Sequence, residues 1–184
     1  MNLSESVQKN KDLISSKLPS NDVIFFSFTA GNKEAIAVYA ESLTDKELLG
    51  EQAIKSLAML NEINSVESAA ASLALPECKT LYTLSDAVTK IVEGDAVIFI
   101  EGFNCGLSVA SKRPSIRAVS EPPTASVLKG PREGFIENVV VNTGLIRQRL
   151  KTEFLTVEKL TVGKQSQTLI EIVYLSNVAK QEVV

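Results

Sequence analysis

The sequence predicts a mixed α+β fold of two small lobes, each a sheet containing a β-hairpin and packed with helices, with the second lobe incomplete. Three observations predict it. Apolar runs of strand length, joined by glycine-bearing turns, occur near both ends of the chain. Stretches with helical spacing alternate with these runs. Turn-forming residues crowd one region, with Pro122, Pro123, Gly130, Pro131 and Gly134 close together. The expected division is a first lobe over residues 1–113, a linker over 114–135 and a second, truncated lobe over 136–184.

Taken in order, Val7, Leu13, Ile14 and Leu18 give Ser4 to Leu18 helical spacing, and Leu18-Pro19-Ser20-Asn21-Asp22 stops that helix. Val23 to Thr29 and Ala35 to Ala40 are apolar runs separated by Gly31-Asn32-Lys33, the pattern of a hairpin. Thr44 followed by Glu47 reads as a capping box opening a helix from about Asp45 to Leu60. An alanine-rich helix is expected over Ser65 to Leu75, ended by Pro76. A shorter helix from Asp86 to Val92 is expected to stop at Gly94. Ala96 to Ile100 then forms an apolar strand that Gly102 to Gly106 turns back onto Leu107 to Ser111. Beyond the linker, Ile136 to Lys151 is the longest helical pattern. In it Ile136, Val139, Val140, Thr143, Ile146 and Leu150 share one arc expected to face the core. Phe154 to Val162 and Leu169 to Leu175 complete a second hairpin through Gly163-Lys164-Gln165-Ser166-Gln167.

The composition excludes several function classes. At 184 residues, 45% apolar and 22% charged, the chain can bury an ordinary core and is neither disordered nor low-complexity. A formal charge of −3 gives no field that would draw it to phosphate, so no nucleic-acid partner is expected. With no histidine, Ser-His-Asp and Cys-His nucleophile pairs and imidazole metal sites are absent. Cys78 and Cys105 form no CxxC pair and read as small buried hydrophobes rather than a disulfide. Gly102 to Gly106 lacks the lysine and following helix of a phosphate cradle and reads as a hairpin turn. No cofactor, metal or catalytic residue is expected. Met1 to Lys17 has no apolar stretch typical of a signal peptide, and no run approaches the ~20 residues that span a bilayer.

The two hairpins resemble each other. Ala37-Val38-Tyr39-Ala40 aligns on Ile172-Val173-Tyr174-Leu175, with Glu47 on Glu182 further along, so Tyr39 matches Tyr174 at a spacing of 135. A duplicated unit would leave the second copy ending where the first begins its long helix.

The segment Arg117 to Lys151 carries Glu121-Pro122, Gly130-Pro131-Arg132-Glu133-Gly134-Phe135, Asn138 with Asn142, and Leu145-Ile146-Arg147-Gln148-Arg149. In that order and spacing it resembles the GerA family, the A subunits of bacterial spore germination receptors. Weaker similarity extends over Leu84 to Val178. Ala125, where the family often has an acidic residue, and Lys129, where arginine is common, depart from it. The resemblance implies the hydrophilic N-terminal domain of an A subunit, with two α/β lobes similar to those of periplasmic substrate-binding proteins. It further implies a membrane domain on the same subunit, B and C subunits as partners in the inner spore membrane, and a domain facing the spore core. Self-association within the receptor stays open.

Two functions fit this reading. The first is a non-enzymatic piece that couples nutrient sensing to the membrane part of the receptor and mediates subunit assembly. The alternative is a binding module that holds a small nutrient between its lobes. The candidate contacts between lobes or with a partner are Glu121, Gly130, Arg132, Glu133, Arg147 and Arg149. The Gly130 to Gly134 loop either offers amides at a helix start to a carboxylate or fixes the backbone where the chain crosses between lobes. Arg147 falls inside the arc that should face the core, so its guanidinium must either pair, with Glu121 or Glu133 as candidates from the linker, or run its stem out to water. Val141 and Leu145 lie away from that arc and read as an exposed apolar strip for a lobe or subunit contact.

Overall fold

The computed structural model describes residues 1–73, 75, 77–113, 134–180 and 182. Its larger sheet has the order β1-β2-β4-β5-β3, with every pairing antiparallel. The strands are β1 (Val23–Ala30), β2 (Lys33–Ala40), β3 (Cys78–Leu81), β4 (Ala96–Ile100) and β5 (Gly106–Val109). A second, two-stranded sheet pairs β6 (Leu155–Val162) with β7 (Thr168–Leu175).

The continuous apolar character of β2 and β4 follows from their position in the middle of the sheet, with helices on both faces. Ala35, Ala37 and Tyr39 of β2 face the helices that run from Lys46 to Ala58 and from Val66 to Ser72. Ile36 and Val38 point the other way, onto α1 (Val7–Lys17) and α5 (Leu84–Glu93). The β1–β2 turn needs only two residues, and Gly31 supplies its positive φ of 57°. Gly94 caps α5 in the left-handed region at φ 99°, as its position after Val92 and Glu93 predicts. Both cysteine thiols are free.

The long helix after β2 differs from the expectation. It starts as α2 (Lys46–Leu48), passes through a π-helical segment (Leu49–Ile54) and ends as α3 (Lys55–Ala58). Its cap is Asp45, whose carboxylate accepts from the backbone N–H groups of Glu47 and Leu48 at 3.1 and 3.0 Å. Thr44 is instead fully buried, in a bridge to Lys112. The alanine-rich helix is α4 (Val66–Ser72), capped by Ser65; its expected stop, Pro76, lies outside the described residues. Strand β3 is an element the sequence did not announce: Cys-Lys-Thr-Leu is too short to show a period.

The duplication extends well beyond the hairpins. From α1 to α6 (Val139–Arg149) the spacing is 132, and both helices have eleven residues. Asn10 reaches back to bond both backbone groups of Ser4 at 2.8 and 2.7 Å. Asn142 does the same to Ile136, at 2.8 and 2.7 Å. Both helices end on a leucine, Leu18 and Leu150, whose N–H bonds the residue four back at 2.8 Å. The second hairpin loop, Gly163 to Gln167, is three residues longer than the first, so β2 matches β7 at a spacing of 135. After β2, Leu43 and Thr44 both donate to the Ala40 carbonyl; after β7, Val178 and Ala179 both donate to that of Leu175. The two segments are one helix–hairpin unit, built twice.

Candidate functional site

The second helix–hairpin unit meets the first at the turn Ser20-Asn21-Asp22, the segment that ends α1's connection and starts β1. Asp22 is there because a short polar residue ends the helix exit. Its carboxylate is buried, at 1% exposure, and Arg147 of α6, at 2% exposure, lies against it. The arginine Nε donates to one carboxylate oxygen at 2.5 Å and Nη2 to the other at 2.6 Å. Nη2 also donates to Ser20 Oγ at 3.1 Å and to the Leu155 carbonyl at 3.2 Å. Ser20 Oγ donates to Asp22 at 2.6 Å and accepts from the Val157 N–H at 2.8 Å. A two-pronged guanidinium–carboxylate pair with its remaining groups satisfied is the geometry in which a buried ion pair holds.

Strand β6 is fastened to the same turn. Asn21 donates its N–H to the Val157 carbonyl at 2.8 Å, and its side-chain oxygen accepts from the Lys159 N–H at 3.0 Å. Lys159 also forms an ion pair with Glu41, which a second lysine, Lys46, holds at 2.5 Å. Burial alone would push the Glu41 carboxyl up, but these two lysines outweigh it and hold it below its ordinary range. On the other side of the joint, Gly144 lets α6 touch the chain just after β2: a β-carbon there would stand 2.7 Å from the Ser42 carbonyl oxygen. The hydroxyl of Thr143 donates to Glu171 of β7, which ties the helix to its own hairpin. Thr156 Oγ1, buried at the same joint, finds no hydrogen-bond partner among the described residues.

This arrangement corrects the reading of α6. The helix is Val139–Arg149, shorter than Ile136 to Lys151, because Asn138 caps it by accepting from the N–H groups of Val140 and Val141. Its buried face is Thr143, Gly144 and Arg147. Of the expected core arc, Ile136, Val139, Val140 and Ile146 are only half-buried and Leu150 is exposed. The helix docks onto a polar turn through hydrogen bonds, so small and polar side chains occupy the contact. Val141 and Leu145, expected on an exposed strip, are both half-buried. Arg149 is exposed. Glu121, Gly130, Arg132 and Glu133 lie outside the described residues.

Asp22 and Ser20 are the joint residues that sequence reasoning missed. They were read only as a helix stop, and the available signal was an arginine on a core-facing arc that demanded an acidic partner. The arrangement can hold two units in fixed relation; among the described residues, no cluster of three acidic, cysteine or histidine groups could hold a metal ion.

The class of protein these features define is a mixed α/β domain, with helices on both faces of a five-stranded antiparallel sheet and a helix–hairpin unit built twice and joined by a buried ion pair. The fold matches the crystal structure of the N-terminal domain of the A subunit of the Bacillus megaterium spore germinant receptor GerK3, with a TM-score of 0.78 and 22% identity, over all of this chain and 69% of that one. The chain belongs to the family described as Bacillus/Clostridium GerA spore germination protein, whose model matches residues 2–184. It is similar to spore germination protein B1 of Bacillus subtilis (strain 168), 27% identical over 100% of this chain and 39% of that protein. Spore germination protein A1 of the same organism is 26% identical, over 98% of this chain and 38% of that protein. The chain thus spans about two fifths of the curated relatives it matches. Among the described residues no helix is long and apolar enough to cross a membrane.

Proposed function

We propose that the chain forms the N-terminal part of a germinant-receptor A subunit and works as a rigid, non-enzymatic coupling and assembly element. The observation that carries this reading is the joint: Arg147 fills the contact between the two units and bonds Asp22, Ser20 and Leu155 together. A pair so fixed moves as one body, which suits transmission of a displacement rather than closure around a ligand. The groove of about 640 Å³ lined by Ser6, Lys11, Phe28, Glu34 and Glu101 lies on the larger sheet, away from the joint, and the groove of about 340 Å³ that α6 shares with the first sheet's side, lined by Leu43, Lys112, Gln148 and Lys151, is the smaller of the two. In this reading the B and C subunits and the membrane portion of the same A subunit are its partners. The receptor sits in the inner spore membrane with this domain on the spore-core side.

Ligand-dependent melting tests the reading against the alternative, a module that holds a nutrient between its lobes. A binder selective for the folded state raises its melting temperature by an amount that grows with the logarithm of the ligand excess. With saturating L-amino acids, sugars or nucleosides, the coupling element melts where it does without them. A reproducible rise with any of these favours the binding module.

A further inference from the structure

Strand β1 forms one edge of the larger sheet, and no strand among the described residues pairs with its outer side. The two-residue turn makes Ala30 and Lys33 a hydrogen-bonded pair, so alternate residues counted back from Ala30 bond to β2. Phe25, Ser27 and Thr29 therefore turn their N–H and C=O groups outward. Sheets ordinarily protect such an edge with a charge, a proline or a bulge. Val-Ile-Phe-Phe-Ser-Phe-Thr-Ala has no charged residue and no proline, and its register with β2 runs unbroken. The duplicate strand shows the contrast. In β6 the counterparts of Phe25 and Ser27 are Val157 and Lys159, and the Ser20–Asn21 turn bonds both of them.

The groove of about 640 Å³ has Ser27, Thr29, Glu34 and Ile36 on the sheet side and the first half of α1 as its wall. Thr29 stands opposite Glu34 and Ser27 opposite Ile36, so the four share the face that α1 partly covers. Glu101 accepts from the Val7 N–H at 2.8 Å and is occupied at the start of α1. Glu34 and Lys11 make no ion pair or side-chain hydrogen bond among the described residues. The Glu101 N–H bonds the Glu34 carbonyl at 2.8 Å, which sets Glu34 at the end of the groove where α1 begins, with Lys11 about one helical turn further on. An open edge strand with a groove between it and a helix is the arrangement in which an extended peptide adds as a further strand and sends alternate side chains into the groove.

We propose that β1 and this groove receive an extended segment of another polypeptide, added antiparallel to β1, with a basic residue opposite Thr29 and an acidic one opposite Ser27. The basic side chain meets Glu34 and the acidic one meets Lys11. The residue between them lies on the other face, against Phe26 and Phe28, whose rings stack at 6.3 Å and of which Phe26 is 45% exposed. Charge selects this occupant over the β1 strand of a second copy, which is uncharged and would leave both Glu34 and Lys11 without a partner. The inference stands on the strand and the groove alone and goes beyond the coupling role.

Titration of the isotope-labelled chain with the end-blocked peptide Thr-Lys-Val-Glu-Val-Thr, followed through its amide resonances, tests it. The expected result is saturable shifts at Phe25, Ser27 and Thr29. Glu34→Lys weakens binding about fivefold. The charge-exchanged peptide Thr-Glu-Val-Lys-Val-Thr binds the Glu34→Lys, Lys11→Glu chain as the first peptide binds the parent. Ser27→Pro removes an outward N–H without breaking a bond to β2, so it abolishes binding while thermal unfolding shows the fold intact. No shift at the highest peptide concentration, shifts that miss β1, or an affinity indifferent to Glu34 overturns the proposal. So does a concentration-dependent shift of the same amides in the chain alone, which assigns the edge to a second copy instead.

Discussion

Gly144 and Ser42 approach so closely that a β-carbon on the glycine would stand 2.7 Å from the serine carbonyl oxygen. The contact brings the middle of α6 onto the chain leaving β2, and it explains a glycine in a helix interior, where it costs about 1 kcal/mol relative to alanine. Gly144→Ala therefore has two opposing effects. The helix gains propensity, but the new methyl meets a backbone atom that cannot swing aside, and overpacking of this kind costs about 1–3 kcal/mol. The net expectation is a loss of about 1–2 kcal/mol by urea unfolding. A gain would mean that the two units do not touch there.

Glu41 predicts an acid sensitivity. Its carboxyl is held below the ordinary 4.5 in the folded protein, because Lys159 and Lys46 outweigh its burial. A group with a lowered folded pKa contributes stability that is complete above the unfolded value and disappears as pH falls through the folded one. Stability should decline as pH drops below about 4.5, and Glu41→Gln should shrink that decline. Identical acid unfolding profiles for the two proteins would remove Glu41 from the joint's electrostatics.

Thr156 has the opposite sign. Its buried hydroxyl lacks a partner among the described residues, and its counterpart in the first unit is Ile24. Thr156→Val keeps the shape and removes an unsatisfied oxygen, so thermal unfolding should show a gain of about 1 kcal/mol. A loss of that size would show that the hydroxyl is bonded after all.

The paired asparagines test the duplication. Each ties the segment before its helix through two backbone bonds, so Asn10→Ala and Asn142→Ala should each cost about 1–3 kcal/mol in chemical unfolding. Asn10 is buried at 1% exposure and Asn142 is only half-buried, so the first substitution should be the more damaging. The reverse order would mean that burial does not set the cost of losing these paired bonds.

Much of the architecture was legible because it rests on local chemistry. The apolar runs of β2 and β4 announce strands covered on both faces, Gly31 a tight turn and Gly94 a helix end. What was not legible depends on partners distant in sequence. The contact face of α6 is polar because its neighbour is the Ser20–Asp22 turn, and no helical period reveals that. The helix half of the duplication was hidden because the second hairpin loop is three residues longer, which shifts the spacing from 132 to 135 and breaks a constant-offset comparison. Strand β3 was missed because four residues at a sheet edge carry almost no pattern.

The central claim is that Arg147 and Asp22 lock the two units together, and a double-mutant cycle measures it directly. Arg147→Met leaves a buried carboxylate uncompensated and should cost about 3–5 kcal/mol; Asp22→Asn should cost a comparable amount. The double variant should then lose little more than either single one, giving a coupling close to the cost of one single substitution, about 3 kcal/mol or more. Additive losses, or an Arg147→Met variant within about 0.5 kcal/mol of the parent, would contradict the account.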